Sequence, residues 1–214
     1  MAFLQSSPPR EPFLHAPASV LWLIGSLVAV HLLAVYGFLP DAVWESLAFV
    51  PARLIEGGGP FAYFSLVSHM FLHGGYLHLT MNCLWLLAFG PIVARRYGAG
   101  LFLALFFASG IAGALTHLAV NWGSPLAVIG ASGGVSGLMG AGFRMIRWPG
   151  VHTSKRLVPL LARPILVFSA VWLITNLVFG IIGFGGQTIA WEAHMGGYFF
   201  GLFAISLVDR LRFG

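Results

Sequence analysis

Residues 130–142 read GASGGVSGLMGAG and hold the hydroxyl that matters most to the chain's chemistry, Ser132. A helix this rich in glycine is not chosen for its own stability, since each interior Gly costs ~1 kcal/mol against Ala. Gly133 and Gly137 recur at i, i+4, with Gly140 three residues on, which gives a smooth face for a close neighbour. A second run of this kind, Gly196, Gly197 and Gly201, surrounds His194. If the two smooth faces pack together, Ser132 Oγ and the His194 ring come within hydrogen-bond reach. A serine beside a general base is an activated nucleophile. His78 and Asn82, also at i, i+4, share one face of another helix and suit an oxyanion hole aimed at that pair. The competing reading is structural. It makes residues 130–142 a packing helix whose Ser132 bonds only backbone, with the other polar groups as interhelical glue.

The elements that must position these groups follow from composition. The chain is 58% hydrophobic and 8% charged, with a mean hydropathy of +0.90. Soluble domains carry roughly 25% charged residues, so an all-α polytopic membrane protein is expected. Its 214 residues accommodate six spans of about 20 residues with short loops. Residues 1–18, with Pro8, Pro9, Pro12 and Pro17, read as a short disordered cytoplasmic tail rather than a signal peptide. Residues 19–214 read as a single six-helix membrane domain.

The spans are expected near 19–39, 77–96, 100–120, 130–147, 164–182 and 189–207. Between the first two, residues 40–68 are amphipathic in places (Trp44, Leu47, Phe61, Phe64) and read as a structured loop lying in the interface. A glycine-rich loop with Gly183, Gly185 and Gly186 joins the last two. With both termini in the cytoplasm, ten of the eleven Lys/Arg fall on the cytoplasmic side and only Arg53 outside. That bias sets the orientation and accounts for the net charge of +5 without a nucleic-acid partner. Cys83 is the only cysteine, which excludes an intrachain disulfide or a Cys-based metal site. No internal repeat of the transporter kind is evident.

These spans put the polar residues at one depth. Counting at ~1.5 Å per residue from the basic edge gives ~18–23 Å for Ser132, ~24 Å for His194 and ~26 Å for His78. Against a hydrocarbon core of ~30 Å, all three lie ~5–10 Å below the outer surface. Ionisable groups in a bilayer are costly and normally face a bundle interior or a wet cavity. No Asp or Glu of the spans is placed as a third member, because Glu192 precedes His194 by two residues and points to another face. A Ser132–His194 dyad is the economical reading.

Three segments then resemble the rhomboid intramembrane serine proteases: HGGYLHLTMN at 73–82, GASG at 130–133 and AHMGGYFFG at 193–201. The resemblance runs from the second to the sixth span. It implies a six-helix rhomboid core, Ser132 as nucleophile and His194 as base. His78, Asn82 and the Ser132 backbone N–H would hold the oxyanion. It further implies a water-filled site opening to the extracytoplasmic side of a bacterial inner membrane. Substrates would be transmembrane proteins that enter laterally near the fifth span, with no cofactor. Two positions depart from the family pattern. Ser136 stands where an aromatic often stacks on the catalytic histidine, a cover that Tyr198 is the nearest candidate to supply. Phe64 and Ser65 stand where a Trp-Arg pair often anchors the first loop.

Other classes fit less well. A catalytically inactive adaptor that binds transmembrane clients would not need both Ser132 and His194. A proton or ion carrier using His69, His73, His78 and His117 would want a buried acid on the spans. A membrane metalloprotease would want His-Glu-x-x-His, and no histidine here is followed by Glu. His69 and His73 at i, i+4 could bind zinc but read as interfacial packing, and His15, His31 and His152 stand apart from the set.

Overall fold

In a computed structural model, residues 16–148, 157–183 and 189–213 are described. Most of the N-terminal tail, His15, His152, Lys155, Arg156, Gly185 and Gly186 lie outside them. The described residues form α1 (Ala18–Val35), α2 (Asp41–Leu47), α3 (Pro51–Ile55), α4 (Gly59–Ser68), a 3-10 turn (His69–Phe71), α5 (Tyr76–Val120), α6 (Ser132–Phe143), α7 (Arg163–Ile182) and α8 (Trp191–Phe213).

α5 is two helices joined at Gly98, whose φ of 84° no helix tolerates. Its arms double back on each other, so a Cβ on Gly90 would stand 3.3 Å from the Phe102 ring twelve residues later. Four described helices are long and apolar enough to cross a membrane: Ala18–Val35, Tyr76–Tyr97, Ala99–Val120 and Arg163–Ile182. The expected fourth and sixth spans are also helical, as α6 and α8. However, α6 has 12 residues, and α8 has 23 and carries Glu192, Asp209, Arg210 and Arg212. A helix enclosed by protein need not match the lipid thickness, and Gly133 to Phe143 are all buried.

The core therefore has α6 at its centre, walled by both arms of α5 and by α8. α1 covers the first arm with a stripe of Val20, Leu23, Leu27 and His31, spaced to share one helix face. Its opposite face is open, with Trp22 79% exposed. Of the four long apolar helices α7 is the least enclosed, with Ile165 and Asn176 its only buried residues.

Residues 40–75 form a packed brace. Arg53 donates to the carbonyls of Glu45 (2.9 Å), Ser46 and Ala48, and Ser68 Oγ donates to Leu47 O at 2.8 Å. Phe64 is exposed, whereas Ser65 is buried and donates to Ala62 O at 2.7 Å. Arg53 and Ser68 thus share the side-chain anchoring of this loop.

Candidate active site

Ser132 is the first residue of α6, and the segment leading to it is tied down at each step. Phe49 and Val128 exchange backbone hydrogen bonds of 3.1 and 2.7 Å. Gly130 N–H donates to His69 O at 2.9 Å, and Ala131 N–H donates to His73 Nε2 at 3.5 Å. Gly130 has φ +115°. A Cβ there would stand 2.6 Å from His78 Nε2 and 3.7 Å from Ser132 Oγ, so this backbone is the floor on which the His78 ring lies. The first intrahelical bond of α6 runs from Val135 N–H to Ala131 O at 3.0 Å. The N–H groups of Ser132, Gly133 and Gly134 therefore have no partner within their own helix and carry the positive end of its dipole.

His194 is brought to Ser132 by the glycine faces. A Cβ on Gly197 would overlap the Gly133 carbonyl, and one on Gly201 would overlap that of Gly137. At this separation the backbones of α6 and α8 touch, and Ser132 Oγ lies 2.7 Å from His194 Nε2. The other ring nitrogen, Nδ1, lies 2.7 Å from Asn176 Oδ1 on α7. Trp172, one turn earlier on α7, stacks near His194 with an interplanar angle of 25°.

The expected cover by Tyr198 is not what forms. Its ring packs on Trp172 and Phe143, and its hydroxyl is 2.8 Å from Ser169 Oγ. Glu192 faces away, with its carboxylate held by Asn121 Nδ2 at 3.1 Å and by His117 at 3.5 Å.

His78 thus adjoins Ser132 across Gly130. Asn82 is buried, and its Nδ2 donates to the His78 carbonyl at 2.9 Å. That bond uses one of the two amide hydrogens and leaves one to donate elsewhere.

Sequence reasoning missed two groups. Asn176 was one polar residue in an apolar span, and the i, i+4 spacing of Trp172 and Asn176 was its only signal. His31 is not incidental: it is buried on α1 with its ring 5.0 Å from Tyr76 and 6.5 Å from His73. His73 in turn is 5.1 Å from His78. His31 and His73 line a cavity of about 300 Å³ with Asp41 and Trp44, which has room for several waters.

His69 and His73, both outside the spanning helices, are held neutral. Burial lowers His69 to about 4, with its Nδ1 2.8 Å from Ser65 O. Burial and then the neighbouring His78 lower His73 to about 3.

Comparison with known proteins gives the chain's family. A family model described as the rhomboid domain matches residues 60–210. Rhomboid protease GluP of Bacillus subtilis (strain 168) is 32% identical over 152 residues, 71% of this chain and 27% of that protein. Rhomboid protease GlpG of Serratia proteamaculans (strain 568) is 32% identical over 136 residues, 64% of this chain and 45% of that protein. RHOMBOID-like protein 5 of Arabidopsis thaliana is 33% identical over 97 residues, 45% of this chain and 30% of that protein. The matched region thus spans between about a quarter and a half of these relatives' lengths. With its family-model match and its apolar helices, the chain is an integral membrane protein that belongs to the rhomboid family.

Proposed function

We propose that the chain is an intramembrane serine endopeptidase that hydrolyses peptide bonds in or near transmembrane helices of other membrane proteins. The observation that carries this reading is the 2.7 Å approach of Ser132 Oγ to His194 Nε2 at the N-terminus of α6. Ser132 is the nucleophile and His194 the general base. As Oγ bonds to the scissile carbonyl carbon, its proton passes to Nε2. The carbonyl oxygen becomes an oxyanion held by His78, Asn82 and the Ser132 backbone N–H, and a preformed donor of this kind contributes ~3–4 kcal/mol. Collapse breaks the C–N bond while Nε2 returns the proton to the leaving amine. Water gives a proton to His194 Nε2 and attacks the acyl carbon; the acyl C–Oγ bond then breaks and Nε2 returns the proton to Ser132 Oγ.

The wider frame is part of the same proposal. Residues 19–214 act as one six-span domain with both termini cytoplasmic, and the site opens extracytoplasmically in a bacterial inner membrane. A scissile bond must leave its helix before Ser132 can reach the carbonyl, so substrates with glycine-rich, helix-breaking sequence are favoured. The test is cleavage of reporter transmembrane helices by the protein reconstituted in liposomes. A helix with a central Gly-rich break is cut by the unmutated protein and left whole by Ser132→Ala and His194→Ala, and a poly-Leu span is spared. Equal cutting by Ser132→Ala would overturn the proposal, whereas capture of the reporter without cutting would make the chain an adaptor.

A further inference from the structure

The hydrogen bonds of Asn176 define the state of His194. Asn176 is 5% exposed and sits on α7, while His194 is on α8. Its side chain makes two bonds, one to the Trp172 carbonyl at 2.8 Å and one to His194 Nδ1 at 2.7 Å. A carbonyl can only accept, so the amide nitrogen of Asn176 must face Trp172. The amide oxygen is thereby left toward the ring. An oxygen of this type can only accept, so Nδ1 carries the ring proton and Nε2 presents a lone pair to the Ser132 hydroxyl. That is the tautomer a general base needs.

We infer that Asn176 is a third member of the catalytic array, a positioning residue that fixes the tautomer and the ring orientation of His194. The inference rests on the dyad reading above and deepens it. An uncharged acceptor suits the place, because Asp or Glu there would be a charge buried among apolar helices. An Asn in this role serves the same logic as the carboxylate in Ser-His-Asp arrays and the Asn in Cys-His-Asn ones.

The placement also has a mechanical consequence. α7 has only two buried residues, and Asn176 is one of them. Besides Asn176, α7 meets α8 through Trp172 against the His194 and Tyr198 rings, through Ser169 and the Tyr198 hydroxyl, and through Gly180, which lies against the Trp191 ring. Any outward displacement of α7 withdraws the acceptor from Nδ1, so the seating of this helix and the readiness of the base are one event.

The experiment measures the second-order rate of fluorophosphonate labelling against pH for the full chain in detergent, beside Asn176→Leu, Asn176→Asp and Ser132→Ala. Thermal unfolding is recorded for each. Leu matches Asn in size but offers no acceptor, and Asp keeps the acceptor toward Nδ1 while giving up the donor to the Trp172 carbonyl. The expected result is labelling at least about 10-fold slower in Asn176→Leu and within about 3-fold of the unmutated rate in Asn176→Asp. The acid limb of the Asn176→Asp profile moves to higher pH, because a carboxylate beside the ring favours its charged form. A solely structural role would lower the unfolding temperature without moving that limb.

Unmutated labelling speed in a folded Asn176→Leu overturns the inference. So does an Asn176→Asp protein that is folded yet as slow as Asn176→Leu, or whose profile stays in place. If Asn176→Leu does not fold, the Asp profile alone decides. Labelling that persists in Ser132→Ala would instead refute the dyad reading, and the role of Asn176 with it.

Discussion

At the scale of single residues, the site depends on a backbone conformation that only glycine provides. Gly130 combines φ +115° with a Cα against which the His78 ring rests. Gly130→Ala must strain the backbone by ~1–3 kcal/mol, and it must also move either His78 or the start of α6. The expected outcome is a lowered unfolding temperature together with a loss of fluorophosphonate labelling. Unmutated labelling in Gly130→Ala would show that His78 does not need this floor. Residue types and spacing pointed from the sequence to Ser132, His194, His78 and Asn82; Ser132 lies 2.7 Å from His194, and His78 stands across Gly130 from Ser132. The partner of Nδ1 was not legible. Asn176 and His194 are 18 residues apart on different helices, and nothing in sequence reports which face of an apolar helix turns inward. The position before Ala131 was legible only as glycine, not as a positive φ.

At the scale of elements, the α6–α8 contact carries the catalytic geometry. The glycines at 133, 137, 197 and 201 allow carbonyls of one helix to meet the Cα atoms of the other. Gly197→Ala and Gly201→Ala each place a methyl inside a carbonyl of α6, where nothing can yield without moving a helix. Each is expected to destabilise by ~1–3 kcal/mol and to separate Ser132 from His194. Thermal unfolding in detergent and labelling should therefore fall together. If both properties are unchanged, the helices do not pack through these faces. This contact was readable because small residues at i, i+4 in an apolar helix chiefly serve the close approach of a second backbone. The sequence reads the short helices within residues 40–68 only as a structured interfacial loop. Their apolar residues lack a clean helical period, and their order comes from Arg53 and the Phe49–Val128 bridge rather than from local propensity.

At the scale of the whole molecule, buried neutral histidines tie stability to pH. His69 and His73 stand at about 4 and about 3 in the fold, against 6.5 when exposed. Above 6.5 both states are unprotonated and the two residues contribute nothing to pH dependence. Between 6.5 and about 4 the unfolded chain binds protons that the folded one refuses, so stability falls as pH falls. The unfolding temperature is expected to be flat from pH 8 to about 7 and to decline between 6.5 and about 4. His69→Gln should weaken that decline. A temperature that rises on acidification would mean that the histidines are charged in the fold. Helical class and membrane character were legible from composition, because so few charges leave no other solvent for the surface. The brevity of α6 was not, since its apolar sequence continues to the point where Arg144 turns to the carbonyls of Val158 and Leu202.

The most direct measurement is mass-spectrometric localisation of a fluorophosphonate adduct on the intact, detergent-solubilised protein. The account predicts one adduct per chain, on Ser132, absent from Ser132→Ala and from His194→Ala. A folded protein that never labels, or an adduct that forms at Ser132 equally well in His194→Ala, would contradict it.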